Sequence, residues 1–160
     1  MKTIKYLVMD VDGTLTDGKV YIGNNGEICK AFCVKDGYGI RDLLIPSGII
    51  PIIITGRESA IIFNRCKELG IARIYQGISD KYSKLIDIVD DLSSVAYIGD
   101  DINDLSCMKA IIKANGLVGC PGDAVNQIQK ISDYVSKYNG GEGAVRDFIE
   151  WLISEIDYNE

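Results

Sequence analysis

Three apolar runs, residues 4–9, 49–54 and 95–98, each stop at polar groups: Asp10, Thr55-Gly56 and Gly99-Asp100-Asp101. Short, continuous, β-branched runs of this kind predict strands buried on both faces. Between them the apolar period becomes helical, with Ile62, Cys66 and Leu69 at i, i+4, i+7 and Leu85, Ile88, Val89 and Leu92 at i, i+3, i+4, i+7. Residues 102–113 read as a helix and 116–119 and 133–135 as short strands. Val145, Phe148, Ile149, Leu152 and Ile156 form one stripe of a last helix. Alternating strands and helices predict an α/β fold, a Rossmann-like, doubly wound parallel sheet covered on both faces. No internal repeat, linker or biased segment interrupts the pattern, so residues 1–160 are expected to form a single domain.

One segment departs from the alternation. Residues 19–22 and 27–32 are β-rich and flank Gly23-Asn24-Asn25-Gly26. Asn-Gly tolerates positive φ, which predicts a hairpin inserted just after the first strand and standing over its acidic end. A plain edge ribbon is the alternative.

At 160 residues and 17.6 kDa the chain suits one domain that buries about two thirds of its unfolded surface. It has no histidine, which removes Ser-His-Asp and Cys-His nucleophile pairs and His-based zinc sites. The five cysteines, Cys29, Cys33, Cys66, Cys107 and Cys120, include no C-x-x-C pair and no arginine six residues on. They are expected to be buried thiols of a reduced, cytoplasmic protein. A net charge of -6 and a pI near 4.7 oppose partnership with nucleic acid or anionic membranes. From Met1 the chain meets Asp10 too soon for a signal-peptide core. The longest apolar stretch, 43–54, is broken by Pro46, Ser47, Gly48 and Pro51 and falls short of the roughly 20 residues that span a bilayer.

The candidate chemistry sits at the strand ends, where open parallel sheets bind ligands. Asp10-Val11-Asp12 sets two carboxylates at spacing two, and Asp100, Asp101 and Asp104 add three from another strand. At about 4 Å and an effective dielectric of 20, each like-charged pair costs about 4 kcal/mol. That repulsion points to a divalent cation, and an all-oxygen donor set suits Mg²⁺. The same residues also serve as helix N-caps and solvated turns. Thr55 offers a hydroxyl, Gly56 a close backbone approach, and a following helix N-terminus an anion site. Lys81 opens another helix and is either a point charge reaching inward or a solvent-exposed lysine.

Asp10-Val11-Asp12-Gly13-Thr14-Leu15-Thr16-Asp17-Gly18, Ile54-Thr55-Gly56-Arg57, Lys81 and Gly99-Asp100-Asp101-Ile102-Asn103-Asp104 resemble the four ordered motifs of haloacid dehalogenase superfamily phosphatases. The hairpin, the segments 34–41, 75–77 and 96–101, and Gly140-Gly141-Glu142-Gly143-Ala144-Val145-Arg146 narrow the resemblance to the capless 3-deoxy-D-manno-octulosonate 8-phosphate (KDO 8-phosphate) phosphatases. The resemblance implies Asp10 as nucleophile, forming an aspartyl-phosphate, and Asp12 as general acid and later base. It implies Mg²⁺ on the Asp10 carboxylate, the Asp12 main-chain carbonyl and Asp100, with Asp101 and Asp104 in the outer shell. Thr55 and Lys81 would meet the phosphoryl oxygens. Lys35, Asp36, Gly37, Arg41, Gly56, Arg57, Arg65 and Arg146 would bind a sugar acid phosphate on the way to lipopolysaccharide.

Capless relatives imply a homotetramer. In it the hairpins would form a shared barrel with Val20, Ile22, Ile28 and Phe32 at the interface, and each hairpin, with a neighbour's glycine-rich segment, would cover an adjacent active site. Glu142 replaces a commonly basic residue and Cys33 a common Asn, both near the sugar end. A nine-carbon substrate, N-acylneuraminate 9-phosphate or KDN 9-phosphate, is therefore the second reading. A non-catalytic module accompanying a sugar-acid cytidylyltransferase is opposed by retention of every motif position. A phosphoreceiver domain is opposed by Asp12.

Overall fold

The computed structural model of the chain describes residues 3–157, so Met1 and Lys2 of the expected start lie outside the described residues. The strands are β1 (Tyr6–Met9), β2 (Tyr21–Gly23), β3 (Gly26–Cys29), β4 (Ile50–Ile54), β5 (Arg73–Tyr75), β6 (Val95–Ile98), β7 (Leu117–Cys120) and β8 (Tyr134–Val135). The helices are α1 (Val34–Tyr38), α2 (Ala60–Glu68), α3 (Lys81–Ile88), α4 (Leu105–Lys113), α5 (Asn126–Gln129) and α6 (Ala144–Asp157). Six strands form one sheet in the order β5-β4-β1-β6-β7-β8, every neighbour parallel. β1 pairs with β4 on one side and β6 on the other, so the winding reverses across it. That reversal opens a crevice at the carboxyl end of β1.

Alternation along the strands builds two cores. Leu7, Met9, Ile53 and Ile98 face α2 and α6 through Ile62, Cys66, Phe148, Ile149 and Leu152. Val8, Ile52, Ile54 and Tyr97 face α3 and α4 through Leu85, Met108 and Ile111. Each fully buried aliphatic side chain of this kind contributes about 1.5–3 kcal/mol. The doubly wound sheet thus takes the form expected from the apolar runs.

The differences have local causes. Residues 34–44, to which the apolar pattern assigns no element, are α1 continued by a π-helical turn over Gly39–Leu44. α3 ends at Ile88, because Val89 is already extended (φ -130, ψ 136). Leu92 therefore belongs to a separate 3₁₀ turn, Leu92–Ser94. Residues 102–113 begin with a 3₁₀ turn before α4. β5 escaped notice because it is a half-buried edge strand opened by Arg73, whose guanidinium donates to the Ile88 carbonyl (2.6 Å). Among the cysteines, Cys66, Cys107 and Cys120 are buried, but Cys29 is exposed on the hairpin and Cys33 is half-buried; the expectation of five buried thiols is corrected. The hairpin is a separate two-stranded sheet between β1 and α1. No helix among the described residues is long and apolar enough to cross a membrane.

Candidate active site

A crevice of about 460 Å³ opens at the carboxyl ends of β1, β4 and β6, and Asp10, Asp12, Thr55, Gly56, Arg57, Asp100 and Asp101 line it. Asp10 prolongs β1, its N–H still donating to the Ile98 carbonyl (3.1 Å), and is 4% exposed. Thr55 prolongs β4, held by its N–H on the Tyr75 carbonyl and by the Ile78 N–H on its own carbonyl, both 3.0 Å. The loop from Asp10 to Gly18 turns on Thr16, whose Oγ1 accepts from the N–H groups of Gly13 (3.3 Å) and Gly18 (3.2 Å). Gly13 has φ +88, and any side chain there would collide with the Asp100 carboxylate. Only glycine meets both demands.

Lys81 is buried rather than solvent-exposed. Its Nζ lies 2.8 Å from Asp10 Oδ1 and 2.8 Å from Asp104 Oδ1. Asp104 is fully buried and saturated: Oδ1 accepts from Lys81 and from the Tyr97 hydroxyl (2.7 Å), Oδ2 from the N–H groups of Asp100 (3.0 Å) and Asp101 (3.3 Å). Asp101 caps the following turn, accepting from the Ile102 N–H (2.7 Å). Of the two readings for this cluster, N-capping accounts for Asp101, while Asp104 ties the loop to Lys81.

Carboxylate oxygens of Asp10, Asp100 and Asp104 come within 4.8 Å of one another. With Asp104 committed to four donors, Asp10 and Asp100 are the pair facing the crevice with oxygen to offer. Burial, then Asp104, pushes Asp10 well above the ordinary carboxylate range, with Lys81 opposing. Burial likewise raises Asp100 to about 6, although the Thr14 hydroxyl donates to it (2.9 Å). For Lys81, burial works to lower the value, and the Asp10 and Asp104 carboxylates overcome it, so it rises. The crevice therefore has more negative charge than its lysine neutralises. Hard oxygen donors with excess charge fit a divalent cation such as Mg²⁺.

The expected sugar-binding residues divide. Gly56 and Arg57 line the crevice. Lys35, Asp36, Gly37, Arg41, Arg65 and Arg146 do not line it, because 34–44 is a helix packed on α6 rather than a loop at the strand ends. Asp36 is buried and accepts from the Arg146 N–H (2.9 Å), and Gly37 lies against Arg65. Arg41 is exposed beside Asp42 (2.8 Å), Arg65 pairs with Glu68 (2.9 Å), and Arg146 pairs with Glu150 (2.6 Å) over the Tyr38 ring. Lys35, Glu142 and Arg146 share a separate depression of about 270 Å³.

One further expectation changes. The N-terminus of α2 is occupied by its own cap, Ser59 Oγ accepting from the Ile61 N–H (3.1 Å), and stands apart from the crevice. Gly140 and Gly141 support their own chain's catalytic loop: the Gly141 N–H donates to the Thr14 carbonyl (3.2 Å), and a Cβ on Gly140 would collide with the Gly13 carbonyl. Residues not anticipated are Tyr97, read only as strand core, and the hairpin pair Glu27 and Lys30. Lys30 Nζ lies 2.5 Å from Asp12 Oδ1 and 3.0 Å from Glu27 Oε2; a lysine on a ribbon predicted to overhang an acidic strand end was the available signal.

A doubly wound sheet that gathers Asp10, Lys81 and Asp100 at its switch point places the chain in the haloacid dehalogenase class of phosphohydrolases. No family model matches the chain. It is 43% identical over 156 residues to the 3-deoxy-D-manno-octulosonate 8-phosphate phosphatase KdsC of Escherichia coli K12, covering 95% of this chain and 80% of that protein. Among solved structures it is similar to the Moraxella catarrhalis 3-deoxy-D-manno-octulosonate 8-phosphate phosphatase in complex with magnesium, phosphate and KDO (TM-score 0.86, 42% identity, 96% of this chain and 87% of that one). It is also similar to the cobalt-bound Haemophilus influenzae phosphatase (TM-score 0.88, 33% identity, 96% and 89%). The chain belongs to the 3-deoxy-D-manno-octulosonate 8-phosphate phosphatase family.

Proposed function

We propose that this chain is a Mg²⁺-dependent phosphomonoesterase that releases phosphate from KDO 8-phosphate, with Asp10 as nucleophile and Asp12 as the proton-transferring group. The observation that carries the reading is Asp10, ending the central strand of the sheet, fixed 2.8 Å from buried Lys81 at the floor of a crevice whose rim holds Asp12, Thr55 and Asp100. Identity to KdsC over nearly the whole chain supports the substrate.

The Asp10 and Asp100 carboxylates and the Asp12 main-chain carbonyl would hold Mg²⁺, which when bound supplies positive charge to the phosphoryl oxygens and offsets the repulsion between the carboxylates. Asp10 attacks phosphorus as the bond to the sugar oxygen breaks, and the leaving oxygen takes a proton from Asp12. Asp12, now ionised, takes a proton from water as that water attacks phosphorus, and Asp10 is released. Lys81 and the Thr55 hydroxyl steady the oxygens on which transition-state charge is spread. Asp104 keeps Lys81 in place without touching the substrate.

Arg57 on the rim is the cation suited to the sugar-acid carboxylate. The assembly we propose is a homotetramer joined through the hairpins. Val20 (42%), Ile22 (64%) and Ile28 (66%) are exposed on a ribbon too small to stand alone. Phe32 packs in part against its own chain's core. Five unpaired thiols suit a reducing, cytoplasmic setting.

The test is phosphate release with Mg²⁺ from matched eight- and nine-carbon keto-sugar acid phosphates, with an Asp10→Asn control. Turnover of the eight-carbon ester above the others, abolished by Asp10→Asn and by a chelator, is expected. Preference for a nine-carbon ester overturns the substrate, and turnover surviving Asp10→Asn overturns the mechanism.

A further inference from the structure

The hairpin carries one more group to the crevice than the reaction above uses. The Lys30 side chain is 1% exposed, with Nζ 2.5 Å from Asp12 Oδ1 and 3.0 Å from Glu27 Oε2. Glu27, whose side chain is 13% exposed, stands in turn 3.6 Å from an Arg57 guanidinium nitrogen. An ammonium gives up its water only where opposite charge and hydrogen-bond acceptors replace it. Here one carboxylate comes from the hairpin and the other from the loop after β1, so Lys30 spans the two. Asp12 Oδ2 has no hydrogen-bond donor among the described residues, whereas Oδ1 is committed.

Resting on the phosphohydrolase reading above, we propose that Lys30 is a positioning residue for Asp12. It holds Oδ1, leaving Oδ2 to exchange the proton with the leaving oxygen, and it is itself held by Glu27. A carboxyl joined to its chain by freely rotating single bonds presents either oxygen in many directions. A proton transfer in step with bond cleavage needs one of them within hydrogen-bond reach of the leaving oxygen. When the P–O bond to the sugar breaks, its electron pair passes to the leaving oxygen, which gains the Asp12 proton, while Asp10 forms the new bond to phosphorus. Lys30 enters none of these bonds.

This role makes a prediction that general structural damage does not. An alkyl ester needs a proton on its leaving oxygen, whereas 4-nitrophenolate departs unprotonated. Since kcat/KM reports steps only through the first irreversible one, it isolates phosphoryl transfer to Asp10 from the later attack of water. Lys30→Met should lower kcat/KM for KDO 8-phosphate by about 10- to 100-fold, leave that for 4-nitrophenyl phosphate within about threefold, and so collapse the ratio between them. Glu27→Gln, which keeps the side chain's size, should move the ratio the same way by a smaller factor, and Lys30→Arg should restore part of it. Equal losses on both esters in Lys30→Met and Glu27→Gln, or an unchanged ratio in both, overturn the proposal. The underlying reaction is judged separately, by wild-type turnover and its loss in Asp10→Asn in the same assay.

Discussion

Asp104 shows how much a single buried carboxylate can organise. It neither lines the crevice nor meets solvent, yet it orients Lys81 through Oδ1 and the backbone of two lining residues, Asp100 and Asp101, through Oδ2. Tyr97 completes it from within the core, its fully buried hydroxyl 2.7 Å from Oδ1. The phenol thus shares Oδ1 with the Lys81 ammonium, which stands 2.8 Å from both Asp104 and Asp10. Removing the hydroxyl alone costs a charged hydrogen bond in the interior, about 1.5–3 kcal/mol. Tyr97→Phe should therefore lower Tm by about 5 °C and kcat by about tenfold, with KM moving less. A kcat unchanged beside the Tm loss would confine Tyr97 to packing. Tyr97 was not legible as a site residue because one tyrosine inside Val95–Ile98 reads as core, which it also is. Asp10, Thr55 and Asp100 stood out as polar residues closing apolar strands and Asp12 by its spacing from Asp10, whereas Lys81, at the start of α3, stood out only through the order of the motifs around it.

At the scale of elements, the sheet and its long helices were readable because their period alone specifies them, whereas α1 was not. Residues 34–44 hold Gly37 and Gly39, each costing roughly 1 kcal/mol relative to alanine in a helix, and the reason for them is tertiary. A Cβ on Gly37 would press on Arg65, and one on Gly39 on Arg146 and Ile149, so glycine lets α1 approach α2 and α6. Asp36 joins the same contact, its Oδ1 accepting from the Arg146 N–H at the start of α6 (2.9 Å) while Oδ2 has no partner. It acts as an N-cap supplied by another helix. Burial raises it to about 6, against the N–H donors of Arg146 and Val145 and the charges of Arg146 and Arg65. Because the folded value lies above the ordinary 3.8, the native state binds more protons between those two limits. Stability from this group is full below the lower value and falls as pH rises through about 6, by about 3 kcal/mol in all. Asp36→Asn keeps an acceptor oxygen and cannot ionise. Urea unfolding should show it gaining about 1.4 kcal/mol on the wild type between pH 5 and pH 8; a constant difference would mean that Asp36 is not protonated in the folded state.

For the molecule as a whole, the main sheet is closed by helices on both faces, while the hairpin leaves Val20, Ile22 and Ile28 exposed and is tied to the site by Lys30. Those two properties link assembly to chemistry. A two-stranded ribbon has little stability of its own, and of its ion pairs to the main domain, Lys30–Asp12 and Glu27–Arg57, the shorter is shared with Asp12. Contacts with other copies through Val20, Ile22 and Ile28 would therefore hold the ribbon at the angle from which Lys30 reaches Asp12. Charge at the centre of that face should separate the subunits without touching the crevice. Ile28→Glu is expected to sediment as a smaller species than the wild type, to retain the cooperative unfolding of the main domain, and to lose kcat/KM for the sugar ester. Added to dissociation, the loss should exceed that for 4-nitrophenyl phosphate, because what relaxes is the orientation of the proton donor. A monomeric wild type would remove this coupling and leave the Lys30 clamp as a property of one chain. An Ile28→Glu enzyme that dissociates yet keeps its full preference for the sugar ester would show that the ribbon holds its angle alone.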